Sequence, residues 1–421
     1  MIINLVDSNL TCAYLFGSAA LTVTNVTDSL TKWKPNIFKL RTDAKLVLVA
    51  SDAELPRGVT TGGDKVEVLH IPLESQRLNR LLEGQSMKNS DDMNVVRTKL
   101  GPVAKTFCPT ASDKDSMSEW QFASTSSGHL INDWGPILVT RKDSKIRVTL
   151  LQDYAGKSVR NLSKIQFGTL LKMAEQLAMA LKELRTRGVI HEDIKPDNLA
   201  YDKKKFRIID FDLSRTLEEI GLTAPGTAAF CAPEKAFSDR HCVFSCFASD
   251  IWSLGCSLAS TICPDVETLM DHTFNEYCKY KLPGATRRPL VDLGRRPAQI
   301  CKLVETAIKK LVGTGTGGCF GGGVHNQEVA ISQFVGMLRD MLRLDPQERI
   351  TPEEIILRVQ EIRSNLKSKG EPVVIRAPLW NGSEAEEHDP DYRTMRNSVL
   401  MADLMASNGY SRDENPWCVY V

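Results

Sequence analysis

The chain has 421 residues, of which 42% are hydrophobic and 25% charged, with a formal net charge of +1. That length exceeds one small domain and fits two or three, with ample apolar content for a core. The near-neutral balance gives no electrostatic reason to expect nucleic acid or an acidic membrane surface. No run reaches the roughly 18 apolar residues of a membrane-spanning helix.

The N-terminus, "MIINLVDSNLTCAYLFGSAAL", lacks a basic start and carries Asp7, which argues against a signal peptide. Residues 1–75 form an extension with no visible chemistry. Within it "AKLVLVAS" (44–51) and "KVEVLHIPL" (65–73) read as strands, with a loop between them. Residues 76–152 continue as a strand-rich lobe. "DMNVVRTK" and "PVAKTF" predict a hairpin around Leu100-Gly101-Pro102, and "SMSEWQFAS" a short helix. "SKIRVTLLQDYAG" (144–156) predicts a strand running into a loop.

From residue 153 to 363 the pattern is helical. Ile165, Leu170, Met173, Leu177, Leu181 and Leu184 fall at helical spacing within 161–188, and Gly188 suits the C-terminal cap. "SDIWSLGCSLASTIC" is apolar nearly all round, as a buried helix would be. "NQEVAISQFVGMLRDMLRL" and "TPEEIILRVQEIRSNLK" predict two more helices, the second opened by a Thr-Pro-Glu-Glu cap. Residues 364–421 are a polar tail, in which "NSVLMADLMASNGY" suggests a docking helix. The fold class expected is therefore α+β, in two lobes.

Eleven cysteines show no disulfide framework, which suits a reducing compartment. His241, Cys242 and Cys246 cluster in "HCVFSC", but a zinc site needs a second ligand pair at usual spacing. Buried or free thiols are the simpler reading.

The stretch "HEDIKPDNLAYDKKKFRIIDFDLSR" (191–215) carries the chemistry. Phosphoryl transfer needs alignment, charge neutralisation by metal and lysine, and a carboxylate to orient the accepting hydroxyl. Asp193 can accept that hydroxyl's proton. Asn198 offers an amide oxygen to a metal, and Lys195 can meet the transferring group. Asp210, closing the apolar run "FRIID", is a second hard oxygen ligand suited to Mg²⁺.

This stretch resembles the catalytic and metal-binding loops of eukaryotic-type protein kinases. "GTAAFCAPE", with Gly226, Thr227 and Ala232-Pro233-Glu234, resembles the end of their activation segment. "SDIWSLGC" resembles the following buried helix, with Asp250, Trp252 and Gly255, and "LRLDPQERIT" supplies Arg349 as a partner for Glu234. The resemblance runs over roughly 76–362. It implies a two-lobed kinase fold, ATP and Mg²⁺ as cofactors, and a protein substrate phosphorylated on serine or threonine.

The resemblance makes Lys105 the grip on the α- and β-phosphates, with Lys99 as rival, and Glu119 its helix partner, with Asp115 as rival. Asp153, Tyr154 and Ala155 fall in the hinge that presents backbone to adenine. Gly84 is the lone glycine placed to serve a phosphate-covering loop. Gly313-x-Gly315-x-x-Gly318 fits the glycine pattern, but follows a helical run and reads as a flexible loop. Asp197 hints at basic residues near the phosphosite.

Two residues depart from the family. Glu192 stands where an arginine usually holds a phosphate on the activation segment, which implies activity without phosphorylation there, Thr223 included. Asp212 stands where glycine frees the backbone, and adds a carboxylate that could shift preference between Mg²⁺ and Mn²⁺. A pseudokinase, a nucleotide-binding or scaffold module, is the competing reading. The divergent strand-rich lobe fits a fast-evolving lineage such as a viral one. An intracellular place, cytoplasm or nucleus, follows for a chain with neither leader nor span, in the host cell if it is viral. Nothing in the sequence sets an oligomeric state.

Overall fold

The computed structural model describes residues 3–4, 12–16, 19–23, 45–55, 66–71, 74–89, 93–99, 102–108, 122, 128–131, 133–162, 165–202, 205–216, 226–236, 247–271, 288–313 and 324–367. They fall into two compact units, Met1–Ala155 and Gly156–Val421.

The first unit is strand-rich. Its strands are β1 (Ile3–Asn4), β2 (Cys12–Phe16), β3 (Ala19–Val23), β4 (Lys45–Ala50) and β5 (Val66–Ile71), followed by helix α1 (Ser75–Leu81). After it come β6 (Gly84–Asn89), β7 (Met93–Thr98), β8 (Val103–Phe107), β9 (Asp133–Lys142) and β10 (Lys145–Gln152). β2 and β3 pair with each other as an antiparallel hairpin.

The other eight strands form one sheet in the order β1-β5-β4-β9-β10-β8-β7-β6. From β9 to β6 every pairing is antiparallel; from β9 to β1 every pairing is parallel. The sheet thus runs across residue 75, joining the two strands expected in the extension to those of the strand-rich lobe. β4 explains why. Val47, Leu48, Val49 and Ala50 are all buried, so both its faces need cover, as in parallel sheets. Val47 and Val49 pack with Phe107, Ile137, Val139, Val148 and Leu150 in one core.

α1 fastens the same join by polar contacts. The Ser75 N–H and hydroxyl both donate to Asp52 Oδ1, at 2.7 and 2.6 Å, and the Arg141 N–H donates to Ser75 Oγ at 2.6 Å. The predicted hairpin joins β7 to β8, with Thr98 N–H donating to Pro102 O at 2.9 Å.

The second unit is mainly helical. It opens with β11 (Lys157–Ser158) and helix α2 (Phe167–Thr186). α2 begins later than the 161–188 stretch suggested, and Gly188 beyond its end takes φ +68 with its N–H on Arg185 O. Short strands follow: β12 (Val189–Ile190), β13 (Leu199–Asp202), β14 (Lys205–Ile208) and β15 (Arg215–Thr216). Then come α3 (Pro233–Ala236), α4 (Phe247–Ile262), α5 (Arg288–Gly313), α6 (Val324–Met341) and α7 (Pro352–Lys367).

α4 is the central helix, buried without a break from Ser249 to Ser260. α7 starts with a reciprocal cap: Thr351 N–H donates to Glu354 Oε2 at 2.6 Å, and Glu354 N–H to Thr351 Oγ1 at 3.3 Å. α7 meets α2 through an ion pair of Arg363 with Glu175. Among the described residues no helix is long and apolar enough to cross a membrane. His241, Cys242, Cys246, the tail from 368, and Gly315 and Gly318 lie outside the described residues; Gly313 is the last residue of α5.

Candidate active site

The loop between β12 and β13 holds the expected residues Asp193, Lys195 and Asn198. His191, buried at its start, sets the backbone. Its Nδ1 accepts the Asp193 N–H at 3.3 Å, which leaves Nε2 to donate to Ile209 O at 3.2 Å. Those two roles define the neutral Nε2–H tautomer. Ile209 N–H in turn donates to Asn198 O at 2.9 Å, so Asp210 follows directly on a residue tied to both ends of the loop. Phe211, fully buried, meets the His191 ring edge-on at 5.0 Å between centroids.

Asp193 is gripped on both carboxylate oxygens. Oδ1 accepts the Thr227 N–H at 3.2 Å and the Thr227 hydroxyl at 2.9 Å. Oδ2 meets Lys195 Nζ at 2.7 Å and the Asn198 amide at 2.9 Å. Lys195 Nζ also donates to Thr227 Oγ1 at 2.7 Å, which polarises the hydroxyl toward Asp193. Gly226 makes the approach possible: a methyl group there would come 2.5 Å from Glu192 O.

Both Asn198 amide protons point at Asp193, one to its backbone oxygen at 2.9 Å and one to Oδ2. The Asn198 oxygen is thereby the atom left to ligate a cation. The Asp210 carboxylate is the other hard oxygen of the expected Mg²⁺ pair.

Glu192 turns the other way. Its side chain is buried and pairs with Lys235, which is buried as well, while Arg215 Nε lies 3.9 Å from Oε1. Asp250, at the start of α4, accepts the His191 N–H at 2.7 Å and the Glu192 N–H at 3.1 Å. Burial pushes the Asp250 carboxyl up to about 7, against the pull of Lys235 and the two N–H groups. Burial disfavours the Lys235 charge too, but Glu192, Cys231 and Asp250 outweigh it and raise the ammonium above its ordinary range. The Glu192–Lys235 pair, 43 residues apart in sequence, had no signal in either local pattern.

Glu192 and Asp210 take left-handed backbone, φ 70° and 68°, whereas Asp212 does not. The position where the family has glycine therefore needs no glycine here, because the left-handed turn lies two residues earlier.

In the strand-rich unit, Lys105 is buried in β8 and lies in register with Val95 on one side and Leu150 on the other. Its rival Lys99 is exposed, 3.9 Å from Glu83. Glu119 and Asp115 lie outside the described residues. Gly84 begins β6 and pairs with Thr98, at the end of β6 away from its junction with β7. A methyl group at Gly84 would sit 2.0 Å from Arg97 O, so close strand approach accounts for this glycine. The expected phosphate-loop glycine is thus a strand residue. Asp153 and Ala155 follow β10 with Tyr154 between them, whose ring carries the Arg97 guanidinium 4.0 Å from its centroid.

Two further expectations change in detail. Asp197 is matched within the chain, accepting from Arg160 Nη2 at 2.7 Å and Nε at 3.1 Å. Arg349 donates to the carbonyls of Arg343, Leu344 and Ala248 and sits over Trp252. The Glu234 side chain and Thr223 lie outside the described residues.

Comparison with known proteins bears on the family. A family model described as the protein kinase domain matches residues 139–359, more than half of the chain, starting inside β9 and leaving out the strands around Lys105. The Serine/threonine-protein kinase ppk34 of Schizosaccharomyces pombe is 39% identical over 93 residues, 21% of this chain and 26% of that protein. Cell division control protein 2 homolog 2 of Trypanosoma brucei brucei is 27% identical over 219 residues, 49% of this chain and 57% of that protein. Mitogen-activated protein kinase p38a of Drosophila melanogaster is 26% identical over 216 residues, 50% of this chain and 54% of that protein. The chain thus spans about half the length of the longer-matching relatives, and a quarter of the first. With a match of that extent, and with the strand-rich and helical units in the expected order, the chain belongs to the protein kinase family and has its two-lobed fold.

Proposed function

We infer that the protein is a serine/threonine kinase that moves the γ-phosphate of ATP to a protein hydroxyl. The observation that carries this reading is the grip on Asp193 by Thr227, Lys195 and Asn198. A carboxylate fixed at both oxygens is preorganised to align a hydroxyl and take its proton without moving. Lys195 is the cation placed beside that carboxylate to meet the transferring group. Lys105 is assigned to the α- and β-phosphates, since its burial in β8 separates it from Lys99. The loop of Asp153, Tyr154 and Ala155 is assigned to adenine.

Asn198 and Asp210 are the residues that would hold Mg²⁺. The ion, when bound, neutralises phosphate charge. Asp212 lies two residues from Asp210, and comparing wild type with Asp212→Gly in Mg²⁺ and Mn²⁺ tests its part in metal choice. An unchanged profile removes it. Because Arg160 matches Asp197, a preference for basic substrates gains no support from that residue.

The second reading, a pseudokinase, is favoured by one feature. Between β6 and β7 the sequence reads Ser90-Asp91-Asp92, without glycine. Purified protein with labelled ATP and a generic substrate, beside Asp193→Asn, decides between them. Incorporation lost in the variant establishes catalysis. No incorporation in wild type favours the scaffold reading.

A further inference from the structure

We propose that Glu192 and Lys235 act as a positioning pair, which sets the Asp193 loop against the Thr227 segment by charge held inside the chain. The catalytic part of this proposal rests on the kinase reading; the pairing itself rests on packing alone.

Three segments converge on Glu192. Its N–H is held by Asp250 of α4, its carboxylate by Lys235 of α3, and Arg215 of β15 lies 3.9 Å from the same carboxylate. Its carbonyl faces Gly226 and lies 3.4 Å from Lys235 Nζ. Arg215 and Lys235 flank the 217–225 stretch, one before it and one after. Both sides of that stretch therefore refer back to the residue next to Asp193.

The chemistry of the pair argues that its charge has a use beyond cohesion. The Lys235 and Glu192 side chains are 1% and 5% exposed. Moving such groups out of water costs several kcal/mol each, and apolar residues of similar volume are often as stable. What an apolar pair lacks is direction. A hydrogen-bonded ion pair admits few registers between two segments, while apolar side chains slide. Here the register decides whether Thr227 reaches Asp193 Oδ1 at 2.9 Å. Lys235 and Glu192 also neutralise each other within the chain, so the pair needs no added anion to complete it.

The test uses the full chain with Glu192→Gln, Lys235→Met, Lys235→Arg and the double variant Glu192→Gln/Lys235→Met. Steady-state kinetics, thermal melting, and hydrogen exchange of amides in 191–198 and 226–236 are read for each. Removing either charge should lower kcat by up to about 10²-fold, the scale of a 1 Å misplacement, with the KM for ATP nearly unchanged. Lys235→Arg should keep most of kcat. The double variant should melt near wild type yet stay slow, with faster exchange in both segments. A double variant that recovers both melting and kcat makes the pair merely structural and overturns the proposal, as does unchanged exchange. If wild type transfers no phosphate but exchange still rises in the variants, the kinase reading fails while the pairing stands.

Discussion

Glu192 and Asp193 are adjacent carboxylates in one loop with opposite surroundings. Asp193 faces the side of the loop where Lys195 and Thr227 are partly open to solvent; Glu192 is sunk among Lys235, Arg215 and Asp250. Both are fully engaged, so degree of hydrogen bonding does not separate them. What separates them is the exposure of their partners: Lys195 and Thr227 are partly open, while Lys235 is sealed. A carboxylate whose partners reach solvent can exchange one of them for a substrate hydroxyl, whereas one held by a sealed lysine can only hold its neighbours in place.

The largest expected effect breaks the first half of the contrast. Asp193→Asn should cost about 10²–10⁴-fold in kcat, the usual range for an acid–base group, with little change in melting temperature. Labelled-phosphate transfer and calorimetry on the same sample measure both. A large fall in melting temperature would put Asp193 on the structural side with Glu192.

Lys235→Met addresses the second half. It strands a buried carboxylate, and such losses run to about 3–5 kcal/mol. Urea unfolding should report it, with a smaller loss in Glu192→Gln/Lys235→Met. Equal losses in both variants would mean that the pair is not coupled.

Thr227→Ala is smaller. It removes one hydroxyl that bridges Lys195 and Asp193, for which about 1 kcal/mol, or roughly fivefold in kcat, is expected. Thr227→Ser should restore it. If serine and alanine behave alike, the bridge has no bearing on rate.

The last contrast is in pH. The Asp250 carboxyl is raised in the folded chain from 3.8 to about 7, so the native state binds the proton more tightly than the unfolded one. This group's contribution is therefore fully present below about 4 and is lost as pH rises through about 7. Asp250→Asn, which cannot ionise, should gain on wild type over that window. Parallel melting curves of the two proteins from pH 4 to 7.5 would dismiss it.

Much of the site was legible because its signals are local. Asp193, Lys195 and Asn198 lie within six residues of one another, and Asp210 follows an apolar strand, so spacing and the family resemblance together singled them out. The helix at 167–186 was legible from its repeat of buried positions. What escaped depends on pairing between distant segments. Val47 and Val49 read as strand, but that β4 would lie parallel to β9 is set by which apolar faces meet, not by either stretch. Gly84 is visible as a glycine, yet only the strand pairing shows that Arg97 O requires it. Asp197 carries a charge in the sequence, and only the fold brings Arg160 to cancel it. The partners of Glu192 are of the same kind, since Lys235 and Asp250 arrive from helices that no local pattern ties to residue 192.

The left-handed backbone at Glu192 and Asp210 has a consequence for how this loop can change. A non-glycine residue in that conformation costs about 1–2 kcal/mol, which glycine would not incur. Selection for stability alone would therefore favour glycine at 210, where it would erase a proposed metal ligand, whereas at 192 the buried ion pair outweighs that gain. Keeping a carboxylate at 210 holds the loop away from its own most stable sequence. Substitutions that stabilise this protein without harm are to be sought outside 191–212, because within it the sequence is already spending stability on geometry.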